Sequence, residues 1–255
     1  MSTISILHLS DVDYLVDVSP IYLVELLKVS KLRNPDFLIV TGCTLTGHDE
    51  DLISVRVALD QLMKSFDLGP DQILIAPRLS DLRGDKFSTW LHKPLTGVKF
   101  TGKPRLLHLP PHMQFFCLNT INAQPHTGPT NAAFDASLAA AIRQIEDGPC
   151  PPSFLRGMAF YHPPMMWKNP PTQHVQRACQ EHRLHLAFFG GGRAKFTSRF
   201  QYSIGVEAGM MHYFQYKPTR GILSSTFGHL VDGTWLLGDH SETLLRQFQP
   251  KPAKE

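Results

Sequence analysis

Three short runs within the first 76 residues are almost wholly apolar: Ile4-Ser5-Ile6-Leu7-His8-Leu9, Phe37-Leu38-Ile39-Val40 and Gln72-Ile73-Leu74-Ile75. Runs of this length suit strands covered on both faces, because an exposed face would force alternation with polar residues. Two stretches with helical spacing separate them. The first places Ile21, Val24, Leu27 and Lys28 on one side, with Pro20 at its start. The second runs from Asp49 to Phe66, with Leu52, Val55, Leu59, Leu62 and Met63 on one face. Strand, helix, strand, helix, strand predicts a sheet whose first half is parallel, with crossover helices packed on it.

The rest of the chain divides at its middle. Residues 82–104 are polar and rich in Gly and Pro, and read as a long irregular excursion. Arg105–Leu109 and Met113–Leu118 are predicted strands, Phe134–Glu146 a helix, and Pro151-Pro152 a linker. Leu155–Phe160 and Leu184–Phe189 are predicted strands around a helix at Gln173–His182. The last third carries four strand patterns read as consecutive antiparallel strands, Phe200–Ile204, Met210–Tyr216, Gly221–Leu230 and Thr234–Leu237, with a hairpin signal at Asp232-Gly233. Residues 1–248 are predicted to form a single domain, and residues 249–255 a disordered tail.

Charge and composition narrow the class of partner. A formal net charge of +3 over 255 residues makes no case for nucleic acid. No stretch of about 18 apolar residues exists, so no membrane span is expected. The first apolar run has no basic segment before it and ends at Asp11, unlike a secretory leader, and a cytoplasmic location is expected. Cys43, Cys117, Cys150 and Cys179 share no metal or redox spacing, and Cys43 and Cys117, in or beside apolar runs, are predicted to be buried, reduced thiols.

The chemistry-bearing residues collect in loops that follow the predicted strands. They are Asp11-Val12-Asp13, Gly42-Cys43, Pro77-Arg78-Leu79-Ser80-Asp81, Tyr161-His162-Pro163-Pro164 and Gly190-Gly191-Gly192-Arg193. In order and strand context these five segments resemble the metal-binding motifs of calcineurin-like metallophosphoesterases. The resemblance runs from residue 4 to about residue 195, with His8 and Cys117-Leu118-Asn119-Thr120 as smaller matches. It implies a four-layer α/β/β/α sandwich of two mixed sheets flanked by helices. It also implies a centre in which two metals clamp a phosphate and activate a water.

Most of the ligands implied by that resemblance are absent. Asp-x-His is Asp11-Val12-Asp13, keeping one ligand and replacing the histidine with a carboxylate. The bridging Asp of Gly-Asp is Cys43. The Asn and His of Gly-Asn-His-Asp are Leu79 and Ser80; leucine binds no metal, and serine is no proton donor near neutral pH. The fourth motif keeps His162 but has Tyr161 where many relatives carry a second histidine, and the sequence leaves open which of the two faces the centre. Both histidines of Gly-His-x-His are gone, to Gly191 and Arg193.

A buried carboxylate without a metal needs another cation. An arginine, Arg193 foremost, is expected to enter the metal region and pair with Asp11 or Asp13. The expected function is therefore a catalytically inactive scaffold or protein-interaction module with an unidentified protein partner. One alternative is a phosphate- or nucleotide-binding protein without turnover, using Arg78 and Arg193. The other is a phosphodiesterase with a rebuilt site around Asp11, Asp13 and His162, aided by Cys43 or His8. No cofactor is expected; an active site would need one or two divalent metals (Mn, Fe or Zn).

Overall fold

The computed structural model describes residues 3–16, 18–43, 49–76, 78, 105–109, 113–118, 138–143, 155–162, 181, 184–191 and 202–244. Within them the chain forms two mixed sheets. The first has six strands in the order β11-β10-β9-β1-β2-β3. These are β1 (Ile4–Ser10), β2 (Phe37–Thr41), β3 (Ile73–Ala76), β9 (Met210–Lys217), β10 (Ile222–Val231) and β11 (Thr234–Leu244). The second has five, in the order β4-β5-β6-β7-β8: β4 (Arg105–Leu109), β5 (Met113–Cys117), β6 (Leu155–Phe160), β7 (Leu184–Phe189) and β8 (Tyr202–Gly205).

The parallel half is as the sequence pattern requires. β1 pairs parallel with β2, and β2 with β3, through the crossover helices α1 (Pro20–Val29) and α2 (Asp49–Phe66). Three of the four strands expected to be consecutive and antiparallel form such a ribbon, in which β9 pairs with β1, β10 with β9 and β11 with β10. The first, β8, is corrected, since it pairs parallel with β7 in the second sheet. Asp232 and Gly233 turn β10 into β11 with φ of 48° and 75°, the two positive values a tight type I′ hairpin needs.

Strand alternation sorts the core into three layers. Leu7, Leu9, Leu38 and Val40 face the helices, where they meet Leu23, Val24 and Leu27 of α1 and Val55, Leu59 and Leu62 of α2. Ile4, Ile6, Ile39, Leu74 and Phe214 face the second sheet and pack against its Phe115, Leu186 and Phe188. On the far side of the second sheet, Phe116, Met158, Phe160 and Phe189 meet Leu138 and Ala141 of the helix at 138–143. Helix, sheet, sheet, helix is the expected four-layer sandwich.

The predicted face of α1 is corrected. Ile21 is half exposed, and Leu23 joins Val24 and Leu27 in the core. The helix starts at Pro20, and its packing against α2 and β11 turns the face by a residue or so from the one spacing suggested. The last strand also continues past the expected Leu237, to Leu244, across a register shift opposite Thr226 and Gly228. Of the predicted helix Phe134–Glu146 the described part is 138–143. The excursion at 82–104, Pro151-Pro152, all but Glu181 of the predicted helix Gln173–His182, and the tail lie outside the described residues.

Candidate functional site

The layer between the sheets changes character toward the C-terminal end of β1. By alternation, Ile4 and Ile6 are followed on the same face by His8 and Ser10. Ile39 is followed by Thr41 on β2, and Phe214 is preceded by His212 on β9. All of these polar residues are buried. His8 Nε2 lies 2.9 Å from Thr41 Oγ1, and the ring stacks on Phe188 at 5.3 Å and 8°. His212 Nε2 lies 2.6 Å from Ser225 Oγ. Burial depresses His8 to about 3, and depresses His212 as well, helped by the His8 charge. Both rings are therefore neutral, and they form the polar floor of the cleft.

Asp11 sits above that floor, immediately after β1, at φ 48° and ψ 65°. Aspartate is among the few side-chain-bearing residues that tolerate this left-handed conformation. The 3₁₀ turn Val12–Leu15 follows. Asp11 is only 2% exposed. Its carboxyl is approached from three directions. Ser10 Oγ donates to Oδ2 at 2.9 Å, Tyr161 Oη donates to Oδ1 at 3.1 Å, and Arg78 Nη1 donates to the same Oδ1 at 3.4 Å.

Ser10 Oγ also lies 2.7 Å from the Thr41 carbonyl, so one hydroxyl hydrogen serves two acceptors. Burial raises the Asp11 carboxyl above the ordinary value; the Ser10 bond, the Arg78 charge and the Tyr161 bond oppose that rise without cancelling it. The guanidinium of Arg78 closes the arrangement, its carbon 5.3 Å from the centre of the Tyr161 ring.

Two glycines let the tyrosine reach this position. A Cβ on Gly42 (φ 87°) would stand 2.6 Å from the Tyr161 ring and 2.9 Å from Asp11 Oδ1. One on Gly190 would stand 2.7 Å from the ring, from Ser10 Oγ and from the Thr41 carbonyl. Gly42 follows β2 in the first sheet and Gly190 follows β7 in the second. The ring is thus clasped by backbone from both sheets.

The remaining sequence-predicted site residues fall as follows. Asp13 is half-buried and accepts the N–H of Tyr14 at 3.1 Å, while its own N–H donates to the Cys43 carbonyl at 2.9 Å. Cys43 is fully buried in the helix-side core, among Leu9, Val12 and Leu15. His162 stands edge-on to Tyr161 at 5.0 Å. Leu79, Ser80 and Arg193 lie outside the described residues, and Gly191 follows the clasping Gly190.

Arg193, expected to be foremost in pairing with Asp11 or Asp13, lies outside the described residues; among the described residues the cation at Asp11 is Arg78. In the fourth motif it is Tyr161, not His162, that reaches Asp11. Ser10 was not anticipated, although alternation from Ile4, Ile6 and His8 already placed it on the inner face.

A two-metal centre needs several anionic or imidazole donors converging on one volume. Among the described residues, no group of three or more His, Cys, Asp or Glu could hold a metal ion. Both oxygens of Asp11 already accept hydrogen bonds from neighbours, one of them a fixed cation. The described residues do not fit a metal pair.

No protein-family model matches the chain, and no curated protein matches it in sequence. Solved structures do match. GAP50, described as the anchor in the inner membrane complex of Plasmodium, is 8% identical with a TM-score of 0.57, covering 96% of this chain and 90% of that one. The calcineurin-like phosphoesterase YfkN of Bacillus subtilis is 9% identical with a TM-score of 0.47, over 94% and 90% of the two chains. A single mutant of Vps29 from Entamoeba histolytica is 6% identical with a TM-score of 0.44, over 94% and 99%. At these identities the likeness concerns the fold alone. No helix among the described residues is long and apolar enough to cross a membrane.

Proposed function

We propose that this chain, which has the calcineurin-like metallophosphoesterase fold, is a catalytically inactive member of that fold class acting as a scaffold or protein-interaction module. One observation carries the reading. Asp11, the ligand position best kept in the sequence, spends its carboxyl on Ser10, Tyr161 and Arg78. Both lone pairs of Oδ1 are taken, so a cation enters at that oxygen only by displacing the guanidinium or the phenol. The rigid two-sheet frame remains and offers a surface without turnover. GAP50, a structural neighbour of this fold, is described as an anchor, which supports the reading. In this reading the chain is cytoplasmic, needs no cofactor, and has a protein as its partner.

The test is a metal analysis of protein purified without chelator, together with hydrolysis of a bis-nitrophenyl phosphate in added Mn²⁺. Sub-stoichiometric metal and no turnover are expected, with a stable partner recovered from native cells. Stoichiometric metal with hydrolysis that Asp11→Ala abolishes would return the chain to the enzymes.

A second reading, phosphate or nucleotide held without turnover, has one observation in its favour. The Arg78 side chain is 30% exposed, so a cation meets solvent at the cleft. Calorimetric titration with nucleotides tests it: binding that Arg78→Ala removes supports it, and no heat from the wild type ends it.

A further inference from the structure

We infer that Tyr161 is a plug that shuts the cleft to cations, so the centre is closed by an occupant as well as short of ligands. This rests on the reading of a metal-free centre given above and names the residue responsible. The ring is buried, 6% exposed, and lies against Gly42 of one sheet and Gly190 of the other. Its hydroxyl ends 3.1 Å from Asp11 Oδ1. Arg78 covers the same oxygen at 3.4 Å and the ring at 5.3 Å. A cation binding to Oδ1 would have to displace a phenol wedged between two glycine backbones and a guanidinium of like charge.

The sequence pattern agrees with this assignment. Gly42 and Gly190 stand where any side chain would collide with the ring, so ring and glycines form one interlocked unit. A neutral phenol donates its hydrogen to Asp11 and satisfies the carboxyl without bringing charge. The aromatic body meanwhile excludes the water that would accompany an ion. Removing the ring therefore opens space beside a carboxyl, whereas adding a donor elsewhere leaves the space filled.

Two single variants of the full chain separate a plug from a mere shortage of donors. Tyr161→His and Gly191→His each add one imidazole to the same cleft; the first removes the ring and the second keeps it. Cobalt(II) titration, followed by its visible absorption, reads the outcome. Tyr161→His is expected to bind Co²⁺ at least about tenfold more tightly than wild type or Gly191→His, as for gain of a well-placed ligand. Equal binding by the two variants, or binding by neither when both are folded by circular dichroism, overturns the inference.

Should Tyr161→His not fold, Tyr161→Phe takes its place. It keeps the ring and drops the hydroxyl, and is expected to bind no more Co²⁺ than wild type; a gain would show that the ring is no obstacle. Wild type that carries metal as purified refutes the inactive-platform reading and the plug together. Metal-free wild type with equal binding by the two histidine variants refutes the plug alone.

Discussion

His8 gives a quantitative handle on the polar floor. Its ring is fully buried against Phe188, with Nε2 at Thr41, and its pKa falls from 6.5 to about 3 because burial penalises the charged form. The sign follows directly. As pH falls below 6.5 the unfolded chain binds a proton at His8 and the folded chain does not, so stability is lost progressively down to the folded value near 3. Between about pH 6 and about pH 4 the loss from this one residue amounts to ~2.5 kcal/mol, at ~1.4 kcal/mol per unit.

His212, lowered by burial and then by the His8 charge, adds a loss of the same sign. Asp11 acts in the opposite direction. Its raised carboxyl contributes stability that is full at low pH and is lost as pH rises through its folded pKa. Urea unfolding at the two pH values, in wild type and in His8→Gln, cancels the Asp11 contribution and reads His8 together with its effect on His212. The variant is less stable at neutral pH, through lost stacking, but its stability should fall by ~2.5 kcal/mol less than that of wild type over this interval. An equal fall in the two proteins would mean that His8 is not a neutral buried ring, and the account of the floor would be wrong.

Gly190→Ala should cost about 1–3 kcal/mol in urea unfolding, because a methyl 2.7 Å from a backbone carbonyl and from an aromatic ring forces both to move. Tyr161→Phe removes one buried hydrogen bond to Asp11 and should cost about 1–2 kcal/mol, while the fold seen by circular dichroism is unchanged. Arg78→Met should raise the Asp11 carboxyl further, as read by carbon NMR titration. It should destabilise the chain by ~1 kcal/mol above that pKa and little below it, a small figure because solvent screens the partly exposed guanidinium. Phe188→Ala, emptying a fully buried position between the sheets, should cost about 3–5 kcal/mol in the same unfolding assay.

Much of the framework was legible because it depends on short-range pattern. The runs at Ile4, Phe37 and Ile73 could bury both faces only as strands covered on each side, and the helical spacing between them required crossovers. The Asp232-Gly233 pair called for a tight hairpin, and it forms one. The face of α1 was read less well, since Ile21 and Leu23 are similarly apolar and only docking against α2 and β11 decides which of them leaves water.

The site divides along the same line. From residue types alone it followed that Leu79 cannot bind a metal and that Asp11, if no metal is there, needs another cation, since no neighbour can alter what a side chain is able to donate or accept. Only the tertiary structure decided that the cation beside Asp11 is Arg78, 67 positions along the chain, and that the phenol is Tyr161, 150 positions along. Both choices depend on how loops from the two sheets converge. That convergence is set by Gly42 and Gly190 leaving room for a ring, a property of packed backbones that adjacent letters do not carry.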